Sequence, residues 1–195
     1  RVPTSEMAWA VLCEPVPSEV FKEKIIIFTG KLNTSKGYDI FGKAILKILD
    51  KFKDWKACAI GNERRETHNF KHVNFKIFDW LPHEKILNFY KKSSISVACS
   101  RWQEPFGRTA MESAAYGCAT ITSNRGGLPE TFNNTLILDS LNISSLEKLI
   151  TKIIKNNNFL KKIQKMNISW QCKITKKLTF FMFLSKRENI LFFLW

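Results

Sequence analysis

Short β-branched apolar runs alternate along this chain with stretches whose apolar residues recur at helical spacing, and few folds accept that order. Lys24 to Thr29 (KIIIFT) reads as a strand. A turn rich in glycine and lysine follows, and Tyr38 to Phe52 then aligns Ile40, Phe41, Ala44, Ile45, Ile48, Leu49 and Phe52 along one helical face. The same rhythm predicts strands at Trp55–Ile60, Phe75–Phe78, Ile95–Cys99, Cys118–Thr122 and Leu136–Leu138, with helices near His83–Lys92, Gly107–Tyr116 and Ser144–Lys155. Strands that read as continuous apolar runs between helices form a parallel sheet covered on both faces, so the expected class is α/β. Ligands of such sheets bind beyond the carboxyl ends of the strands, and the chemistry belongs to the loops that follow them.

Three of those loops are informative. After the first strand comes TGKLNTSKGYDIF, in which Gly30 permits a tight turn and Lys31 and Lys36 can reach a phosphate. Ser35-Lys36-Gly37 inverts the end of the Gly-x-x-x-x-Gly-Lys-Ser/Thr order, which argues against a P-loop ATPase. After the second strand, AIGNE has a single glycine, and Gly-x-Gly-x-x-Gly occurs nowhere, so a nicotinamide-dependent dehydrogenase lacks its phosphate fingerprint.

The third loop opens SRWQEPFGRTAMESAAYGCATITSNRGGLPE, Ser100 to Glu130, with Glu104 and Glu112 eight residues apart. Pro105 suits an entry turn, and a helix beginning near Gly107 would leave the amides of Phe106, Gly107 and Arg108 free as a pyrophosphate seat. A helical rise over eight residues would set Glu112 up to ~12 Å from Glu104, roughly the span between the two sugars of a sugar nucleotide. Carboxylates accept from neighbouring hydroxyls, so Glu112 fits a ribose and Glu104 a transferred sugar. Each of these residues has a plainer reading. Glu112 fits the solvent face of an amphipathic helix, Lys31 and Lys36 are ordinary solvated lysines, and Gly126, Gly127 and Pro129 make a simple turn. His68, His72 and His83 lack metal-ligand spacing and read as surface or structural, while Trp102 either packs under the loop or touches ligand.

Composition narrows the classes. The 195 residues, 45% of them hydrophobic, suffice for one domain with a real core. Five cysteines, an odd number without a Cys-x-x-Cys pair, argue against a disulfide framework or a zinc site and fit a reducing cytoplasm. No signal peptide opens the sequence, and no run approaches the ~18 apolar residues of a membrane span. The net charge of +14 is concentrated: Lys148 to Arg187 holds eleven Lys or Arg and no acid. Such a stretch is either a solvated helix face or a patch for an anionic partner, and it supports an alternative function as a non-catalytic polyanion-binding protein acting on a membrane surface or nucleic acid.

Taken together, FTGKLNTSKG, DWLPHEKILNFYKKSSISVACS, EPFGRTAME and GGLPE resemble, in order and spacing, the glycosyltransferases of family 4, whose GT-B fold joins two Rossmann-like domains. The resemblance covers Lys24 to Lys155, about two thirds of the chain, and corresponds to the C-terminal, donor-binding half. It implies a retaining, metal-independent transfer from a nucleotide-diphosphate sugar, with no separate cofactor, to a glycan or lipid-linked acceptor in surface polysaccharide or lipopolysaccharide synthesis. Lys36 matches the family lysine on the donor pyrophosphate, Glu104 the glutamate on the donor sugar, and Glu112 the glutamate on the ribose. Lys36, Lys31 and Arg108 are then the cations facing the leaving diphosphate, with Lys36 and Glu104 as the catalytic pair. Lys31 stands where the family has arginine, which turns a forked phosphate contact into a point charge. Asp79 stands where it commonly has glycine, near the base-binding loop, and leaves the base open.

The ends depart from that pattern. Residues 1–23, RVPTSEMAWAVLCEPVPSEVFKE with three prolines, read as a linker or truncated end too short for an acceptor domain. The expectation is a donor-binding half that does not catalyse alone: a fragment, a degenerate gene product, or a subunit that works with an N-terminal acceptor-domain partner. Residues 156–195 read as a basic extension with aromatic clusters at Phe180–Leu184 and Leu191–Trp195. These suit peripheral contact with the inner face of a membrane, a helix packing on the missing domain, or a tail altered by a reading-frame change near Trp170. No nucleic-acid module is apparent.

Overall fold

A computed structural model of the chain describes residues 21–131 and 136–170. Among them, β1 (Glu23–Thr29), β2 (Lys56–Ile60), β3 (Phe75–Phe78), β4 (Ser93–Ala98), β5 (Ala119–Thr122) and β6 (Leu136–Ile137) form one parallel sheet in the order β3-β2-β1-β4-β5-β6. β1 lies between β2 and β4, so the strand order reverses there and opens a crevice beyond the ends of β1 and β4.

Helices α1 (Tyr38–Lys51), α2 (His83–Lys92), α3 (Arg108–Ala115) and α4 (Ile143–Lys155) cover the sheet, followed by α5 over 157–170. Alternation along β1 shows why both faces need cover. Ile26 and Phe28 join Phe41, Ile45 and Ile48 of α1 and Leu146, Ile150 and Ile153 of α4, whereas Ile27 turns to the other face against Leu87 and Tyr90 of α2. Each fully buried side chain of this size contributes about 1.5–3 kcal/mol, so the two clusters hold the strand ends in place.

The expected elements are all present among the described residues, with ends shifted by a residue or two. β4 starts at Ser93 rather than Ile95. Ser93 and Ser94 are buried, but their hydroxyls donate to Phe89 O (2.8 Å) and Glu23 O (2.6 Å), so polar residues enter the strand without an apolar signal.

The packed unit also extends beyond residues 24–155. Glu23 opens β1, and Lys22 Nζ donates to Tyr90 O (2.8 Å) and Tyr116 O (2.6 Å). On α5, Leu160 and Ile163 enter the core, Gln164 donates to Ser94 O (3.1 Å), and Asn167 donates to Cys118 O (2.7 Å). The aromatic clusters at Phe180–Leu184 and Leu191–Trp195 lie outside the described residues, as do residues 1–20 of the linker, Cys13 and Cys172. Cys58, Cys99 and Cys118 are free and buried, and burial pushes the thiols of Cys58 and Cys99 up to about 12. No helix among the described residues is long and apolar enough to cross a membrane.

Candidate functional site

Lys36 is carried by a short 3-10 turn, Thr34–Lys36, between β1 and α1. Asn33 Oδ1 accepts from Lys36 N (3.0 Å) and caps the turn. Gly37 closes it at φ 76°, and a Cβ there would stand 1.9 Å from the carbonyl oxygen of Cys99, so no larger residue fits the Lys-Gly pair. Arg101 locks the turn to the loop after β4. Its backbone N donates to Ser35 O (2.8 Å), and its guanidinium forks onto Asp39 at 2.6 and 2.8 Å. Burial raises the Asp39 carboxyl, but the Arg101 bonds outweigh it and leave Asp39 below the ordinary carboxylate range.

This lock brings Lys36 Nζ onto Oε1 of Glu104. Glu104 itself lies in the loop before α3, so its position is set by loop packing and not by helical rise; the axial ~12 Å spacing does not describe it. The backbone of the two glycines downstream supplies that packing. Gly127 N donates to Glu104 O (2.7 Å) and Gly126 N to Gln103 Oε1 (2.6 Å). A Cβ on Gly126, at φ 54°, would meet Glu104 O at 2.3 Å. Gly126 and Gly127 are therefore more than a turn: they seat the loop that carries Glu104.

Helix α3 begins at Arg108, with Gly107 as an N-cap that makes no side-chain cap hydrogen bond. Its first bond runs from Met111 N to Gly107 O, which leaves the N–H groups of Arg108, Thr109 and Ala110 without helical partners. The amide seat thus lies two residues further along than Phe106. Phe106 is exposed, and its carbonyl is taken by Thr131 Oγ1 at 2.6 Å. A cavity of about 180 Å³ opens at this helix end, lined by Gly30, Lys36, Ser100, Glu104, Gly107 and Arg108 among others. Five of the eight sequence-predicted site residues therefore converge on one cavity beyond β1 and β4.

Glu112 lies one turn up α3, buried, with its Oε1 shared by His83 Nε2 (3.1 Å) and Arg108 Nε (3.6 Å). Burial pushes its carboxyl above the ordinary value, and His83 and Arg108 pull it part of the way back. It is not a surface glutamate. His83, read from sequence as surface or structural, is brought here because it starts α2, which packs beside α3. Its only sequence signal is its place in the DWLPHEK segment. Lys31 is not among the residues lining the 180 Å³ cavity; it lines a neighbouring one of about 660 Å³ with Asn62, Asp79 and Trp80. Trp102 is exposed beside the Glu104 loop and does not pack under it.

Among the described residues there is no group of three or more His, Cys, Asp or Glu side chains that could hold a metal ion. Lys148, Lys152, Lys155, Lys161, Lys162 and Lys165 are exposed on α4 and α5, opposite the buried Leu146, Ile150, Ile153, Leu160 and Ile163. The rest of the basic stretch, to Arg187, lies outside the described residues.

The profile of a family described as Glycosyl transferases group 1 matches residues 16–170. Spore coat protein SA of Bacillus subtilis (strain 168) is 28% identical over 175 residues, which is 76% of this chain and 46% of that protein. The C-terminal domain of the glycosyl transferase group 1 family protein LpcC from Francisella tularensis superposes with a TM-score of 0.69 at 22% identity, over 78% of this chain and 87% of that one. HepE of Anabaena, in complex with UDP and glucose, gives 0.67 at 16% identity, over 92% of this chain and 52% of that one. Such structures share the fold: a parallel Rossmann-like sheet of the GT-B glycosyltransferase domains. The chain spans less than half the length of the curated relatives it matches.

Proposed function

This chain belongs to the glycosyl transferases group 1 family, and from that premise we propose that it is the donor-binding half of a retaining, metal-independent glycosyltransferase. The observation that carries this reading is the convergence of Lys36, Glu104 and the uncapped start of α3 on one cavity, with Glu112 one turn along. In this reading the diphosphate sits on the α3 amides, where the helix end offers about half a positive charge and Lys36 and Arg108 supply whole ones. Glu104 accepts from hydroxyls of the transferred sugar, and Glu112 from the ribose.

As transfer proceeds, the bond between the anomeric carbon and the phosphate oxygen breaks, and negative charge grows on the leaving diphosphate. Preorganised cations and amides stabilise that charge more than they stabilise the bound donor, which lowers the barrier. A bond from the anomeric carbon to an acceptor hydroxyl forms on the same face, and the hydroxyl proton passes to the departing phosphate oxygen. The salt bridge from Lys36 keeps Glu104 oriented before the sugar arrives. The acceptor is a glycan or lipid-linked sugar of a surface polysaccharide or lipopolysaccharide, and an N-terminal acceptor domain completes the cleft. The relative named as a spore coat protein supports a role in a surface layer.

Phosphorus NMR of UDP, GDP and ADP tests the donor site. Adding the chain should shift and broaden the diphosphate resonances of at least one of them saturably, and Lys36→Met should move that saturation to at least tenfold higher concentration. Resonances unmoved by the wild-type chain would overturn the reading.

A further inference from the structure

We infer that the donor base is guanine, selected by the carboxylate of Asp79; this rests on the nucleotide-sugar reading above. The cavity of about 660 Å³ lies beyond the ends of β1, β2 and β3. It adjoins the diphosphate cavity, because Gly30 lines one and its neighbour Lys31 the other. It is also joined to the ribose end. Asp79 precedes His83, the partner of Glu112, by four residues, a reach of at most about 14 Å. A nucleoside whose ribose meets Glu112 therefore places its base within range of Asp79 and Trp80.

The wall it meets there is built. Gly61 N donates to Phe78 O (3.0 Å) and holds the loops after β2 and β3 side by side. Asp79 Oδ1 accepts from Trp80 N (2.7 Å) and from Asn62 Nδ2 (3.1 Å), so two donors orient the carboxylate through a single oxygen. Among the described residues, no hydrogen bond engages Oδ2. Trp80 is 56% exposed at the rim, and its ring is a flat surface on which a base can stack.

A carboxylate only accepts hydrogen bonds, so it selects the base that presents adjacent donors. Guanine does so, with N1–H beside its exocyclic amino group. Uracil sets one N–H between two carbonyl oxygens, which a carboxylate repels; adenine and cytosine each place a ring acceptor beside their amino group. The cations that line the same cavity, Lys31 and Arg64, complement the O6 and N7 acceptors further along guanine. Arg65 is occupied by Glu63 at 3.1 Å.

Calorimetric titration of the 195-residue chain with GDP, UDP and ADP, repeated on Asp79→Asn, tests this inference. Asp79 is exposed, so the variant should keep the unliganded melting temperature. GDP should bind the wild type about tenfold or more tighter than UDP or ADP, and Asp79→Asn should erase most of that margin. Equal binding of the three diphosphates, or a preference for UDP or ADP, overturns the guanine assignment and leaves the donor site standing. A GDP preference that survives in Asp79→Asn overturns the role of Asp79. Binding of none of them overturns the donor reading itself, and the inference with it.

Discussion

His83 Nε2 stands 3.1 Å from Oε1 of Glu112, across the contact between the first turn of α2 and the second turn of α3. Arg108 reaches the same oxygen from one turn below, at 3.6 Å. One hydrogen bond, from His83, and the nearby Arg108 charge hold this oxygen, yet burial still keeps the carboxyl above its ordinary value of 4.5. The native state therefore binds this proton more tightly than the unfolded chain does. Stability falls as pH rises from the ordinary carboxylate value through the raised native one, and the charged Glu112 is a net cost to the fold at neutral pH.

Removing the charge while keeping the shape should thus separate stability from binding. Glu112→Gln should raise the unliganded stability at pH 7.5 by about 1 kcal/mol, with the gain shrinking toward pH 4.5, and should weaken nucleoside diphosphate binding at least tenfold. Denaturant melts at two pH values with parallel titrations check both. A variant that is less stable at pH 7.5 would show that Glu112 is a structural acid.

Gly126→Ala sets a Cβ 2.3 Å from Glu104 O at a left-handed φ, so either the glycine loop or the Glu104 loop must move. The expected cost is about 1–3 kcal/mol of stability, together with loss of diphosphate-sugar binding. A fold that keeps donor affinity in this variant would mean that Glu104 is not positioned by the glycines. Denaturant melts and donor titration of the one variant decide it.

The Arg101 clamp offers a prediction on the acid side. Asp39 is held below the ordinary carboxylate range, so its pair with Arg101 contributes stability above the ordinary value and loses it as pH falls through the lowered native one. Arg101→Met should therefore destabilise at pH 7, with the deficit fading as Asp39 protonates, and should weaken donor binding by freeing the Lys36 turn. Thermal melts from pH 7 to pH 3 trace the first effect. A deficit that grows on acidification would contradict it.

Replacing Lys36 should have little effect on the fold. Its pair with Glu104 is partly solvated, with side-chain exposures of 32% and 17%, so Lys36→Met should change stability by no more than about 1 kcal/mol. Affinity for a nucleoside diphosphate should fall at least tenfold, since the variant loses a cation over the diphosphate. Melting and titration of the same sample separate these effects, and an unchanged affinity would remove Lys36 from the site.

The sheet was legible in the sequence because parallel strands buried on both faces carry uninterrupted apolar runs, and Ile26, Ile27 and Phe28 do so. Lys36, Glu104, Gly107 and Arg108 were legible as a cluster because the loop-to-helix motif sets them near the strand ends. What was not legible came from long-range packing. Arg101 and Asp39 are an ion pair 62 residues apart, and His83 reaches Glu112 only once α2 lies against α3. The place of Glu104 does not follow from helical arithmetic, because a rise per residue applies only inside a helix, and the helix begins four residues later. α5 carried a strong lysine signal that hid its buried face at Leu160, Ile163, Gln164 and Asn167.

The central claim, that a nucleoside diphosphate binds where Lys36, α3 and Glu112 meet, is tested most directly by the melting temperature of the chain with and without millimolar GDP, UDP and ADP. A ligand at a hundredfold its dissociation constant adds about 2.7 kcal/mol to the folded state and must raise the melting temperature. The account predicts such a rise with at least one nucleotide in the wild type and its loss in Glu112→Ala. A wild type that melts cooperatively with no shift, or a shift that survives in Glu112→Ala, would contradict it.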